Sequence, residues 1–363
     1  MLFHRLSQLA AALALLVVVL GAWVRLTDAG LGCPDWPGCY GLIGVPTAEH
    51  EVAQANAAFP ERPVEQGKAW REMIHRYLAS TLGLLVLTLA AMAVSHRRHD
   101  PQHPLLLPLA LVALVIAQGI LGMLTVTLLL KPVVVMGHLL GGMSTLVLLW
   151  LLALRSAPPA REASSGMPLA PMLRKLSLVA VAVVFMQIAL GGWTSTNYAA
   201  MACPDFPTCQ AQWWPDADFG EGFVLWRGLG VNYEGGVLDG PARTAIHLAH
   251  RIGAVITLLS VGGIALFLFL RGRAHAVRAS AALTLGVLAA QLSLGIVIVL
   301  KMLPLGLAVG HNLTAALLFL SVVTLAHHTW RVRVHAPALA VEQAHTVDEL
   351  ATMGALASRG AVS

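Results

Sequence analysis

Eight apolar runs of membrane-crossing length leave this chain few folds to choose from. They lie near residues 7–27, 73–95, 104–128, 132–154, 174–194, 245–270, 279–300 and 304–326. A run of about 20 apolar residues spans the roughly 30 Å hydrocarbon core as a helix, because in lipid the backbone must satisfy its own hydrogen bonds. Only 11% of the 363 residues are charged, against about 25% in a soluble domain. The expected fold class is an all-α integral membrane protein with eight transmembrane helices.

Basic residues set the orientation. Arg5, Arg97, Arg98, Arg155, Arg161, Arg174, Lys175, Arg271, Arg273, Arg278, Arg331 and Arg333 all fall on one side of the predicted spans. The positive-inside rule makes that side cytoplasmic, with both termini. The two long loops, about 28–72 and 195–244, then lie outside, and both are acidic. Topology explains the net charge of +5, so no nucleic-acid partner is read from it. The first run resembles a secretory signal, but no small-residue cleavage site follows it, and it is expected to be a retained helix. A bacterial cytoplasmic membrane is the expected location.

The chain then says one thing twice. Trp23 stands ten residues before the loop Cys33–Cys39 (CPDWPGC), and Trp193 ten before Cys203–Cys209 (CPDFPTC). Each copy continues to His75-Arg76 or His250-Arg251, to Gln118 or Gln291 in a Gln-x-x-x-Gly, and to a Gly-His at His138 or His311. The offset between copies stays within 170 to 175 residues. Each half has four helices, so the halves share one orientation. They are expected to form two parallel-repeat four-helix bundles about an axis along the membrane normal. The expected divisions are an N-terminal half at 1–154, a cytoplasmic linker at 155–173 rich in Pro, Ala and Ser, a C-terminal half at 174–328, and a cytoplasmic tail at 329–363. All four cysteines fall in the outer loops, where an oxidising exterior favours a disulfide within each pair, structural or redox-active.

Two histidines per half, on different helices at matched depth, point to a ligand that histidine binds. His75 and His250 are expected in the first turn or so of their helices, and His138 and His311 about two turns into theirs, all in the outer leaflet. Such a pair can face across a flat macrocycle, as in a bis-histidine heme within a four-helix bundle. One intramembrane histidine often only bonds a neighbouring helix; four in symmetric places favour the site. Gly137, Gly141, Gly142 and Gly310 flank the later histidines and suit a large planar ligand. Arg76 and Arg251 are candidates to pair with heme propionates, against the simpler reading of interfacial anchors. Arg25, which has Ser195 at its counterpart, is a candidate for one half only. Gln118 and Gln291 read as structural groups bonding across helices; Lys131 and Lys301 read as interface anchors or propionate partners.

One asymmetry breaks the repeat. Glu72 stands three residues before His75, where His247 stands before His250. An i, i+3 spacing puts each on the face of its histidine. A carboxylate in one half only marks that half as the one that does chemistry, moving protons or stabilising a developing cation.

The strings GAWVRLTDAGLGCPDWPGCYG, EMIHR at 72–76, TVTLLLKPVVVMGH at 125–138 and HLAHR at 247–251 resemble heme A synthase. The resemblance runs to about residue 328. It implies an eight-helix oxidoreductase that converts heme O to heme A for terminal oxidases, oxidising a ring methyl to a formyl group by successive hydroxylations. It implies a heme b cofactor on His250 and His311, substrate heme O on His75 and His138, and Glu72 as catalytic. It also implies membership of the cysteine-bearing subgroup. Expected partners are heme O, the farnesyltransferase that makes it, an electron donor and membrane lipid. The competing reading is a diheme b-type electron carrier linked to quinone, which would need no unique Glu72.

Overall fold

The computed structural model describes residues 1–100, 104–158 and 170–331. Most of the expected linker and tail, and with them Arg161 and Arg333, lies outside the described residues. Among the described residues every named element is a helix, and eight helical segments are long and apolar enough to cross a membrane. The chain is therefore a multi-pass membrane protein by length and composition.

The elements run α1 (Leu2–Leu26), α2 (Glu49–Ala58), α3 (Gln66–His99), α4 (Leu106–Thr127), α5 (Pro132–Ser156) and α6 (Ala170–Thr196). They continue with α7 (Phe219–Gly222), α8 (Gly240–Thr257), a π-helical turn (Leu258–Gly262), α9 (Gly263–Arg271), α10 (His275–Leu300) and α11 (Leu305–Arg331). Across the π turn, α8 and α9 make one span; α3, its counterpart, runs unbroken.

Two helices begin earlier than expected, α3 at Gln66 and α8 at Gly240. Their first turns are polar and lie outside the apolar run, so hydropathy alone misses them. The Asp239 carboxylate caps α8 by accepting the Ala242 N–H at 3.0 Å, with Pro241 in the first turn. The consequence is a correction: His75 and His250 lie more than two turns inside their helices rather than in the first turn, and the helices project outward beyond the histidines.

In the first half α1 packs on α3 and α5, and α4 packs on α3 and α5; in the second, α6 packs on α8 and α11, and α10 on α9 and α11. The two sets meet where α1 and α5 lie against α11, and α5 against α6. Small residues let them approach: Ala10, Ala11, Ala14 and Ala316 are buried in the same core as Leu146 and Val322. Trp150 donates its indole N–H to Thr324 Oγ1 across this seam at 2.8 Å.

Local geometry recurs at matched positions. Leu129 and Leu130 take left-handed φ of 51° and 60°, and Met302 and Leu303 take 59° and 61°. Each pair makes a tight turn in which Leu130 or Leu303 donates to the carbonyl five residues back, at 2.8 and 2.9 Å. Tyr40 and Gln210 (both φ 55°) and Asp28 and Tyr198 (φ 47° and 53°) match in the same way.

Candidate functional site

Each cysteine pair closes a small hairpin. Cys33–Cys39 and Cys203–Cys209 are disulfides. Cys39 exchanges two backbone hydrogen bonds with Leu42, and Cys209 with Gln212, at 2.8 and 3.1 Å in each. An aspartate ties each loop: Asp35 accepts from Tyr40 and Gly41 N–H, both at 2.7 Å, and Asp205 from Gln210 and Ala211 N–H. The Thr208 hydroxyl, then those amides, hold the Asp205 carboxyl below its ordinary pKa, since all donate to the charged form.

Arg76 and Arg251 fasten these loops to the helices. Arg76 donates to the carbonyls of Asp35, Pro37 and Gly38 and pairs with Glu72. Arg251 donates to those of Thr208, Cys203 and Asp205. Arg25 donates to the Ser195 carbonyl at 2.5 Å, in the other half, and stacks on Tyr198 with its guanidinium carbon 4.1 Å from the ring centre. The three arginines expected at propionates are thus all engaged by the protein's own backbone.

Glu72 is 4% exposed and fully engaged. One carboxylate oxygen accepts the Cys33 N–H at 2.9 Å, and the other pairs with Arg76. In the second half His247 Nδ1 accepts the Cys203 N–H at 3.3 Å. The unlike residues at this position share one structural task, holding the first cysteine of the loop against the helix. Sequence spacing put Glu72 on the histidine face; it did not show this second partner.

Below the loops the histidines meet across helices. The His75 and His138 rings lie 6.5 Å apart, centre to centre, with planes at 83°. Two metal–imidazole bonds of about 2 Å each and two half-rings fill such a span. Every imidazole rests its Cε1 on a glycine of a neighbouring helix. A Cβ would stand 3.0 Å from it at Gly21 (under His75), 3.1 Å at Gly191 (His250), 3.5 Å at Gly122 (His138) and 3.2 Å at Gly295 (His311). Gly122 and Gly295 close the two Gln-x-x-x-Gly repeats; Gly21 and Gly191 also stand one repeat offset apart, a match the sequence reading missed.

The flanking glycines play another part than expected. The side-chain amide of Gln118 occupies the space over Gly141, and around Gly310 nothing lies within 4 Å of a Cβ position. The glycines against the imidazoles come instead from α1, α4, α6 and α10.

The two halves differ in how the histidines are bonded. Gln187 Nε2 lies 3.1 Å from His250 Nδ1 and donates to the His250 carbonyl at 3.0 Å. Its amide sits over Gly253. One repeat earlier these two positions are Val17 and Leu78. Gln291 Nε2 lies 3.2 Å from His311 Nε2, and Thr314 donates to Gln291 Oε1. In the first half Thr314 is matched by Gly141, and Gln118 Nε2 is buried without a partner. His75 Nδ1, His138 Nδ1 and His311 Nδ1 are likewise buried and unpartnered. Buried polar atoms are nearly always bonded, so these suit a group that supplies the missing partner or orders a water.

Among the described residues no cluster of three or more His, Cys, Asp or Glu could hold a metal ion. Two facing nitrogens with no third protein donor are the ligand set of a metal whose other positions a macrocycle fills. The residues present therefore fit a heme in the paired-histidine sites. Residues 4–323 match the cytochrome oxidase assembly protein family.

The chain belongs to that family.

It is 48% identical over 327 residues to a heme A synthase of Shewanella oneidensis, covering 90% of this chain and 96% of that one. It is 28% identical over 328 residues to the heme A synthase of Shouchella clausii, covering 87% and 93% of the two chains. That of Caulobacter vibrioides is 28% identical over 347 residues, with 89% and 94% covered. The family match takes in both disulfide loops and all four histidines within one continuous span.

Proposed function

We propose that this member of the family is an oxidoreductase that converts heme O to heme A, oxidising a ring methyl group to a formyl group by successive hydroxylations. The observation that carries the reading is the 48% identity to a heme A synthase along nearly the whole of both chains. The protein lies in a bacterial cytoplasmic membrane with both termini cytoplasmic. Its halves, 1–154 and 174–328, are two parallel-repeat four-helix bundles joined by the linker 155–173, with 329–363 as a cytoplasmic tail.

His250 and His311 hold a resident heme b. Held by these two histidines, the heme would supply electron transfer. Gln187 donates to the His250 carbonyl at 3.0 Å and so ties α6 to the turn of α8 that carries this histidine. His75 and His138 hold the substrate heme O. Gln118 Nε2 and both Nδ1 atoms of this pair are buried without a protein partner, which suits a ligand that brings one.

Glu72 gives the substrate half a carboxylate one turn from His75, where it holds or moves a proton or stabilises positive charge growing at the substrate carbon. It is already bound to Arg76 and the Cys33 amide, so its orientation is set before substrate arrives. The Cys33–Cys39 disulfide braces the loop whose Cys33 amide holds Glu72. Substrate arrives from the farnesyltransferase that makes heme O, and electrons from a separate donor.

The test is heme extraction and chromatography from membranes of a host that makes heme O, with and without this protein. Heme A that appears only with the protein supports the reading. Heme O left unchanged, in a protein that purifies with two equivalents of heme b, would instead establish the diheme electron carrier.

A further inference from the structure

The outer ends of the two halves are finished differently. In the second half Trp193 is 4% exposed and donates its indole N–H to the Gly222 carbonyl of α7 at 2.9 Å. Ile246, four residues before His250, is fully buried in the same cluster, with Leu238 and Phe223 packed over it. Gly222 is seated so closely that a Cβ there would meet the Ala242 carbonyl oxygen at 2.8 Å. The segment 219–238 therefore stoppers the outer end of α6 and α8.

The same segment also covers part of the first half, where Tyr233 is buried against Leu31, Val126 and Leu130, but it does not seal Trp23 as it seals Trp193. Trp23 is only half-buried, and in place of Ile246 stands Arg71, also half-buried. Its guanidinium carbon lies 5.5 Å from the centre of the Trp23 ring. It has no hydrogen bond or ion pair with any described residue, unlike Arg25 and Arg76. Arg71 precedes His75 by four residues, so it stands on the same face of α3 one turn, about 6 Å, nearer the outer surface. Trp23 follows Gly21, on which His75 rests, by two residues. Arg71 and Trp23 thus form the rim directly above the His75–His138 pair.

We propose that Arg71 binds a propionate carboxylate of the porphyrin in the first-half site, and that the Trp23–Arg71 rim is the opening through which this porphyrin enters and leaves. The proposal rests on the reading of that site as the substrate-heme site. A guanidinium suits a carboxylate by its paired N–H fork, and stacking on an indole holds it in place without using its donors. A cation free of protein partners at the rim of one site, with a buried isoleucine in the other, assigns carboxylate capture to the exchanging site.

The experiment titrates the purified, heme-loaded full chain with iron(III) protoporphyrin IX and, separately, with its dimethyl ester, following the Soret shift. Arg71→Gln is expected to weaken binding of the free acid about tenfold, the scale of one charge-assisted hydrogen bond at a partly exposed site. Binding of the ester should change less than about twofold, and Arg71→Lys should recover part of the free-acid affinity. In turnover Arg71→Gln should raise KM for heme O with kcat little changed. Equal weakening of acid and ester, or no weakening of the acid, overturns the carboxylate role while leaving the site assignment in place. If wild-type protein binds neither porphyrin, the site assignment itself fails and the proposal with it.

Discussion

Replacing Glu72 by histidine makes the first half copy the second at the position where a carboxylate stands against an imidazole. The structure sets the magnitude. Removing the carboxylate from a buried ion pair costs about 3–5 kcal/mol when the partner is left bare. Arg76 is not left bare, because the carbonyls of Asp35, Pro37 and Gly38 still accept from it. The Cys33 N–H is not orphaned either, since an imidazole in this place accepts from the loop, as His247 does from Cys203 at 3.3 Å. Glu72→His should therefore destabilise by only about 1.5–3 kcal/mol, one charged hydrogen bond. Glu72→Ala, which loses the acceptor too, should cost more. Thermal unfolding of the purified protein measures both, and its resident heme should stay bound in both. Heme A extracted from membranes should vanish in Glu72→His, although the loop and the fold survive. Heme A at the wild-type level in Glu72→His would refute the reasoning, leaving Glu72 as a loop anchor and nothing more. Loss of resident heme b in either variant would place Glu72 with the wrong half.

The two other perturbations concern the second half. Gly222→Ala puts a Cβ 2.8 Å from a backbone oxygen of α8, and overpacking of this kind costs about 1–3 kcal/mol. Resident heme should then transfer to apomyoglobin about tenfold faster; an unchanged rate would mean that the stopper does not retain it. Gln187→Val removes the partner of His250 Nδ1 and should weaken heme retention about tenfold, as loss of an outer-shell ligand contact does. Retention equal to wild type would show that the amide only fills the space over Gly253.

Much of this site was legible in the sequence because duplication supplied an internal control. A span of 20 apolar residues, a Cys-x5-Cys loop and a Gly-His each have several explanations; at one constant offset they have few. The matched turns at Leu129–Leu130 and Met302–Leu303 show the backbone following the same logic. What escaped was decided by tertiary contact. The arginines after the histidines have the charge and the depth for propionates, yet three loop carbonyls claim each of them. Arg25 bonds a residue 170 positions away, in the half to which it does not belong. Gln187 lies in a run that reads as plain membrane helix, and only the position of His250 gives it meaning. Arg71 falls within the expected outer loop 28–72, and only the start of α3 at Gln66 puts it one turn above His75.

Under the proposed function these differences acquire one physical reason. A group held permanently gains from having its histidines oriented, its neighbouring amides bonded and its outer end closed. The second half has Gln187, Gln291 with Thr314, and the Trp193 stopper. A group that must be admitted, altered and released is served by the opposite. Val17 replaces Gln187, Gly141 replaces Thr314, and Gln118 Nε2 with both imidazole Nδ1 atoms is left unbonded. Each such unmet donor or acceptor costs about 1–3 kcal/mol while it stays dry. Around the histidines three such atoms stand in the first half against two, Gln187 Oε1 and His311 Nδ1, in the second, and a ligand or water that bonds them relieves the cost. Affinity and exchange are then set by residues on the wall and rim of a shared frame, which could diverge after duplication without disturbing the helices that carry the histidines.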